Sequence, residues 1–302
     1  MNAPMNAPNI TRKKVTKAII PVAGVGTRFL PATKSQPKEM LPIVDKPVIQ
    51  YIVEDIVAAG IEEIIFVTSN GKRALEDHFD RSFELEFRLL KAGKKKELRE
   101  IIRIEKLAKF AFVRQDKPLG DGHAVLAALP FLPKDEPVFL ALGDNIITGM
   151  PGIAAQLVGV YNTYQEPVVA AYEVPESETH HYGIMSGIRI AEQLWRISGW
   201  VEKPRSGEAP SNMAWPGFAV VTPEILNCLE ALRPTKDGEI RNADAFKAYF
   251  GTGGSMLAHI LRGQVFDCGN KLEFIKAQLY FGLQNPEMEK DLRAYIKKVC
   301  NT

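Results

Sequence analysis

Apolar β-forming runs alternate with a helical pattern over residues 17–69, as "KAIIPVA", then "KPVIQYIVEDIVAAG", then "IEEIIFVTS". Two parallel strands need a crossover of a dozen or more residues between them, and the middle segment supplies one. Its residues Val48, Ile49, Ile52, Val53, Ile56 and Val57 recur at helical spacing, with Pro47 at the start and Gly60 just past the end. Further β-rich runs follow at "FAFVRQ" and "PVFLALGD". The rhythm predicts an α/β fold on a Rossmann-like, mixed but mostly parallel sheet flanked by helices.

Beyond residue 150 the pattern continues. A helix is expected at "GIAAQLVGVYNTY", strands at "PVVAAYEV", "LWRISGWVEKP" and "GFAVVTP", and a helix at "PEILNCLEALR". Two helices are expected around 270–283 and 286–300. Between the second and third strands, "DRSFELEFRLLKAGKKKELREIIRIEKLAKF" interleaves acids with lysines at helical apolar spacing, which predicts a solvated helical hairpin. No composition break marks a linker, so residues 16–302 are expected to form one domain: a first half to residue 150, a second over 151–268, and C-terminal helices over 269–302.

The chain has 302 residues, 46% of them apolar, enough for a sizeable core. Its 38 basic and 36 acidic residues leave a net charge of +2, which supplies no broad field for nucleic acid or an anionic membrane. Any phosphate it binds must be held locally. Cys228, Cys268 and Cys300 fit no metal or redox spacing and read as idle thiols in a reducing compartment. Residues 1–15, with their repeated Met-Asn-Ala-Pro, read as a disordered leader without an apolar signal region. No run approaches the ~20 apolar residues of a spanning helix, so a cytoplasmic location is expected.

The first strand leads into "GVGTRFLPATKSQPKEMLP". A dinucleotide fingerprint would need glycine where Phe29 stands, and no G-K-[ST] completes a Walker loop. What remains is a pair of glycines, whose backbone can approach a ligand, and Arg28, Lys34 and Lys38 among Pro21, Pro31, Pro37 and Pro42. Merely solvated cations are the competing explanation. Three cations on a stiffened loop argue for a phosphate site instead, because rigidity lowers the entropy lost on binding.

The segment from "GVGTRFLPATKSQPKEMLPIVDKPVIQ" to "SNGKRALEDHFD", with "RQDKPLGDGHAVLAA", "LGDN", "HYGIMSG", "WVEKP", "DGEIRNADAF" and "FDCGNKLEFIKA" in order, resembles bacterial UTP–glucose-1-phosphate uridylyltransferases. These are a branch of the sugar-phosphate nucleotidyltransferases. The resemblance covers nearly the whole chain after residue 15 and implies a nucleotide-diphospho-sugar transferase fold, nucleotide-binding in its first half and sugar-binding in its second. It implies the reaction of UTP with glucose 1-phosphate to UDP-glucose and pyrophosphate. That chemistry needs charge neutralisation and in-line positioning but no general base, since the attacking phosphate oxygen is already an anion.

Matched residue by residue, the resemblance implies that Ala23, Gly24 and Gly26 offer backbone to the nucleotide. Arg28 and Lys38 would act on the triphosphate, while Glu39, Gln115 and Gly120 line the base. Asp144 would bind Mg²⁺ with Asp267 as second ligand, and Gly183 and Glu202 would contact glucose. Lys203 would hold the sugar's phosphate. Homo-oligomers, dimers or tetramers, are common among such proteins. His123 is expected to open a helix and bond to backbone, Trp195, Trp200 and Trp215 to be buried in strands, and Tyr182 is left open.

Departures from the family pattern stand at Asn145, in place of a second aspartate, and at His181 and Phe218, in place of arginines. Asn242 replaces a residue that is usually apolar. Two alternatives therefore stay open: a dTTP-using sugar-phosphate transferase, and a catalytically weak regulatory paralogue. "PKEML" favours uridine over thymidine.

Overall fold

The computed structural model describes residues 12–301. Most of the expected leader lies outside the described residues; of its last members, the Lys13 backbone N–H bonds Gln165 and Val15 is buried. Strand β1 (Lys17–Pro21) leads through three short 3-10 turns between Thr27 and Met40 to the hairpin β2 (Pro42–Ile43) and β3 (Lys46–Pro47). Helix α1 (Val48–Ala58) then crosses to β4 (Glu63–Thr68). After α2 (Arg73–Phe79), the charge-rich segment forms α3 (Phe83–Lys91) and α4 (Lys95–Glu105) ahead of β5 (Lys109–Arg114). Next come α5 (Asp121–Ala128), β6 (Val138–Ala141), β7 (Asn145–Ile147) and α6 (Ile153–Tyr164).

The second half contains β8 (Val168–Glu173), β9 (Gly183–Ala191), β10 (Leu194–Glu202), β11 (Met213–Ala214) and β12 (Phe218–Val221). It continues through α7 (Pro223–Ala231), α8 (Asn242–Gly251), β13 (Met256–Ile260) and β14 (Val265–Asp267), followed by α9 (Lys271–Gln284) and α10 (Glu289–Cys300). One ten-stranded sheet runs through both halves in the order β11-β9-β10-β13-β8-β12-β6-β1-β4-β5. β6, β1, β4 and β5 are mutually parallel, whereas β12 is antiparallel to both its neighbours.

The central strands read as unbroken apolar runs because both of their faces are covered. Successive side chains alternate: Ala18, Ile20, Ile64 and Phe66 pack under α1 and α6, whereas Ile19, Ile65 and Val67 pack under α5, α7 and α8. Burying each large aliphatic side chain contributes roughly 1.5–3 kcal/mol. Helix α9 closes one end of the molecule. Its Phe274 meets Phe29 edge to face at 5.4 Å, Phe281 meets Tyr51 at 4.6 Å, and Tyr280 meets Phe266 at 5.1 Å. Gln278 adds polar ties, accepting from the Val44 N–H at 2.8 Å and donating to the Pro42 carbonyl at 2.5 Å. Leu272, Ile275 and Leu279 of the same helix remain exposed. Among the described residues no helix is long and apolar enough to cross a membrane.

Candidate functional site

The carboxyl ends of β1, β5 and β6 open into a cleft of about 490 Å³ that the second half covers from the other side. A second recess, about 380 Å³ between α1, β7 and α9, contains no lysine or arginine. The cleft contains Arg28, Lys38, Lys203 and Arg241, so it alone of the two can receive several phosphates.

Its cationic wall begins where β1 ends. Ala23 and Gly24 line the cleft, followed by Arg28 and Lys38. Gly26 does not line it. There the backbone is left-handed, with φ 67°, the Thr33 hydroxyl donates to the Gly26 carbonyl at 2.7 Å, and an added Cβ would stand 3.1 Å from that of Lys38. Gly26 therefore bends the loop so that Lys38 can pack across it. Lys38 forms an ion pair with Asp144, each side chain 22% exposed. Burial alone would lower the lysine's pKa, but the carboxylates of Asp144 and Glu39 outweigh it and raise it above the ordinary value, so the ammonium stays charged.

Asp144 follows β6, and Asp267 ends β14, paired across the small β14–β7 sheet with Asn145. The fold brings these distant carboxylates together. Asp267 Oδ1 and Asp144 Oδ2 lie 2.9 and 3.0 Å from the point a Cβ on Gly269 would occupy, and Arg28 Nη1 lies 3.7 Å from it. Only a residue without a side chain leaves that space open. Burial, then the neighbouring Asp144 charge, pushes the Asp267 carboxyl above its usual range. Such crowding of like charge is relieved by a bound cation. Asn145 donates to the Pro216 carbonyl at 2.8 Å, while its Oδ1 is buried with no partner among the described residues.

At the far side Glu39, Gln115 and Gly120 form one wall. Glu39 is 1% exposed and accepts from Lys72 Nζ at 2.7 Å. The Gln115 amide donates to the Gly120 carbonyl at 3.0 Å and lies 3.0 Å from His123 Nδ1. The His123 ring thus meets a side chain rather than the backbone expected for it. Gly120, with φ 99°, passes so close to the Ile240 carbonyl that a Cβ would stand 2.5 Å from it.

The opposite end is built by β9 and β10, which place Gly183 directly across from Glu202. A Cβ on Gly183 would meet Trp200 at 2.7 Å and Glu202 Oε2 at 2.8 Å, so glycine keeps this floor open. Lys203 has a left-handed backbone, φ 46°, held by its N–H bond to the Tyr182 carbonyl at 3.0 Å. A non-glycine residue in that conformation stores of order 1–3 kcal/mol of strain, a frequent mark of functional positions. Tyr182 and His181 also line the cleft. Trp200 is buried in β10 as expected, Trp195 of the same strand is only partly buried, and Trp215 is buried just past β11, where it contributes to the wall. Phe218 is 1% exposed in the core and does not line the cleft.

Sequence reasoning passed over Asp121, Glu239 and Arg241, all of which line the cleft. Asp121 accepts from the Gly122 N–H at 3.0 Å, the Asn242 N–H at 3.3 Å and Asn242 Nδ2 at 2.9 Å. Asn242, odd by the family pattern, is thus the partner of Asp121 and ties α8 to α5. Arg241 is held by Asp237 and by Glu239 at 2.8 Å. The only signal in the sequence was the clustering of charge in "GDGHAV" and "DGEIRN".

A glycine-lined cation loop facing two carboxylates across a cleft at the strand ends is an arrangement suited to nucleoside triphosphates. Residues 17–281 match the family model for nucleotidyl transferases, and the chain belongs to that family. It is 44% identical over 287 residues to a UTP–glucose-1-phosphate uridylyltransferase of Staphylococcus epidermidis, covering 95% of this chain and 99% of that protein. It is 45% identical over 290 residues to the protein of the same name from Bacillus subtilis, covering 96% and 98%. Among solved structures it resembles a UDP-glucose pyrophosphorylase complexed with UDP-glucose, with TM-score 0.82 and 36% identity over 90% of this chain and all of that one. A UTP-bound enzyme from Acinetobacter baumannii gives TM-score 0.84 at 38% identity, over 93% and 98%.

Proposed function

We propose that this chain transfers the uridylyl group of UTP to glucose 1-phosphate, releasing pyrophosphate and forming UDP-glucose. The observation that carries the reading is the convergence of Arg28, Lys38, Asp144 and Asp267 in one cleft whose other end is Gly183, Glu202 and Lys203. The full-length likeness to uridylyltransferases supports it.

A phosphate oxygen of glucose 1-phosphate attacks the α-phosphorus of UTP while the bond to the bridging oxygen of pyrophosphate breaks. No proton changes hands in this step. Arg28 and Lys38 neutralise the triphosphate and the charge that grows on the leaving pyrophosphate, with Gly24 and Ala23 lending close backbone approach. Lys203, fixed by its strained backbone, holds the sugar phosphate in line, and Glu202 accepts from glucose hydroxyls across the space that Gly183 leaves. Glu39, Gln115 and Gly120 bound the uracil.

Asp144 and Asp267 supply hard oxygen donors converging on one point, as Mg²⁺ with one or two carboxylates requires, and the buried Asn145 oxygen lies on the adjoining strand. No cluster of three or more metal-binding side chains of the His, Cys, Asp and Glu types exists among the described residues, so phosphate oxygens and waters would complete the shell. Held by Asp144 and Asp267, a divalent ion would supply positive charge to offset that of the phosphates. A single working unit over residues 16–302 fits the continuous sheet, and the exposed apolar residues of α9 support a homo-oligomer.

A pyrophosphate-release assay with UTP, glucose 1-phosphate and Mg²⁺ tests the reading. Turnover well above that of a Lys203→Ala variant is expected, and equality of the two overturns it. Competition with dTTP measures how strictly the base is read.

A further inference from the structure

Lys72 has no part in the chemistry above, yet it is 5% exposed at the start of α2 and points its ammonium at Glu39, itself 1% exposed. Taking two charges out of water is costly, and a well-packed apolar pair would serve stability as well or better. The placement is explained by what Glu39 borders. Glu39 lines the cleft in the same wall as Gln115, its Oε2 accepts from Lys72, and its own backbone N–H also bonds the carboxylate.

We propose that Lys72 is a positioning residue for nucleotide recognition: it holds Glu39 as a fixed, charged acceptor whose other oxygen receives a donor on the pyrimidine, the N3–H of uracil. This rests on the uridylyl-transfer reading and deepens it. A carboxylate can only accept, so it matches the uracil N3–H and opposes cytosine, whose N3 is itself an acceptor. A protonated or rotated carboxyl would lose that distinction. Burial pushes the Glu39 carboxyl up and Lys72 is the foremost group opposing it, followed by Lys38. Lys38 is engaged by Asp144, so it is a poor substitute for Lys72. The bond also fixes rotation: Lys72 is set by its place at the turn from β4, where the Ser69 hydroxyl bonds the Ala23 carbonyl at 2.9 Å and ties this turn to the nucleotide loop.

The test compares four full-length proteins: wild type, Lys72→Gln, Glu39→Gln and the double variant, with steady-state constants for UTP, CTP and glucose 1-phosphate. Lys72→Gln keeps a hydrogen-bond donor but no charge, which limits the risk of misfolding. The expected result is a UTP KM raised about tenfold with kcat and the glucose 1-phosphate KM within about twofold of wild type, and a smaller UTP-over-CTP preference. In the Glu39→Gln background the same change should add less than about twofold, because Lys72 acts through that carboxylate. An unchanged UTP KM, fully multiplicative effects, or a uniform loss across all constants overturns the proposal. Should Lys72→Gln not fold, direct UTP and CTP binding to Glu39→Gln and to the double variant, which buries no lone charge, decides: a further loss from Lys72 in that background overturns it and none supports it. Wild type inert with both substrates would sink the uridylyl-transfer reading; active wild type with an indifferent Lys72 sinks this inference alone.

Discussion

At the scale of single residues, the site is defined as much by missing side chains as by charged ones. Gly183→Ala would drive a methyl into Trp200 and Glu202, so the glucose 1-phosphate KM is expected to rise at least about tenfold with the UTP KM little changed, as steady-state kinetics will show. Arg28→Ala removes a cation from the cleft, and under the proposed reaction kcat is expected to fall roughly 10²–10³-fold in the pyrophosphate-release assay. Arg28, Lys38, Asp144 and Lys203 were legible in the sequence because each sits in a short motif with its own order. Asp121 and Arg241 were not. Their places depend on Asn242 and on the 235–241 turn folding back over α5, a contact between segments over a hundred residues apart. That Phe218, in place of a family arginine, is buried in the core was not legible either: a motif position says nothing about which face of a strand a side chain takes.

Elements carry their own signals, and α6 shows one that works against stability at neutral pH. Asp55 of α1 accepts from the Ala154 N–H at 3.0 Å in the first turn of α6, yet burial pushes its carboxyl from an ordinary 3.8 up to about 6. A carboxyl with a raised folded-state pKa binds more protons in the native state, so stability falls as pH rises from about 4 to 6. Two units correspond to about 3 kcal/mol. Asp55→Asn keeps an acceptor for Ala154 without the charge. Its Tm is expected to exceed wild type at pH 8 and to converge on it near pH 4, which a thermal-unfolding series against pH will check. Gly152→Ala should lower Tm, since a Cβ there would stand 1.7 Å from Asp55 Oδ1. Long periodic helices and apolar strands such as α1, β1, β4 and β6 were readable from spacing. β9 and α8 were not singled out, because β9 carries glycines at 183 and 187 and α8 is short and mixed in polarity.

For the whole molecule, α9 is the element that joins its ends. Phe274 braces Phe29 within the cation loop, while Gln278 and Phe281 hold the β2–β3 hairpin and α1. Phe274 is half-buried, so Phe274→Ala is expected to destabilise by about 1–2 kcal/mol in chemical denaturation and to raise the UTP KM, because the loop bearing Arg28 loses its support. Sequence alone determined the alternation of strands and helices, the covered parallel core and the cations that gather in the cleft, since these follow from local periodicity and short motifs. Only the tertiary structure decided that Asp144 and Asp267 share one point with Arg28, that Asn242 serves Asp121, and that Lys72 holds Glu39. Those relations are distances between segments remote in the chain, set by how the sheet is ordered and closed, and one-dimensional spacing has no term for them.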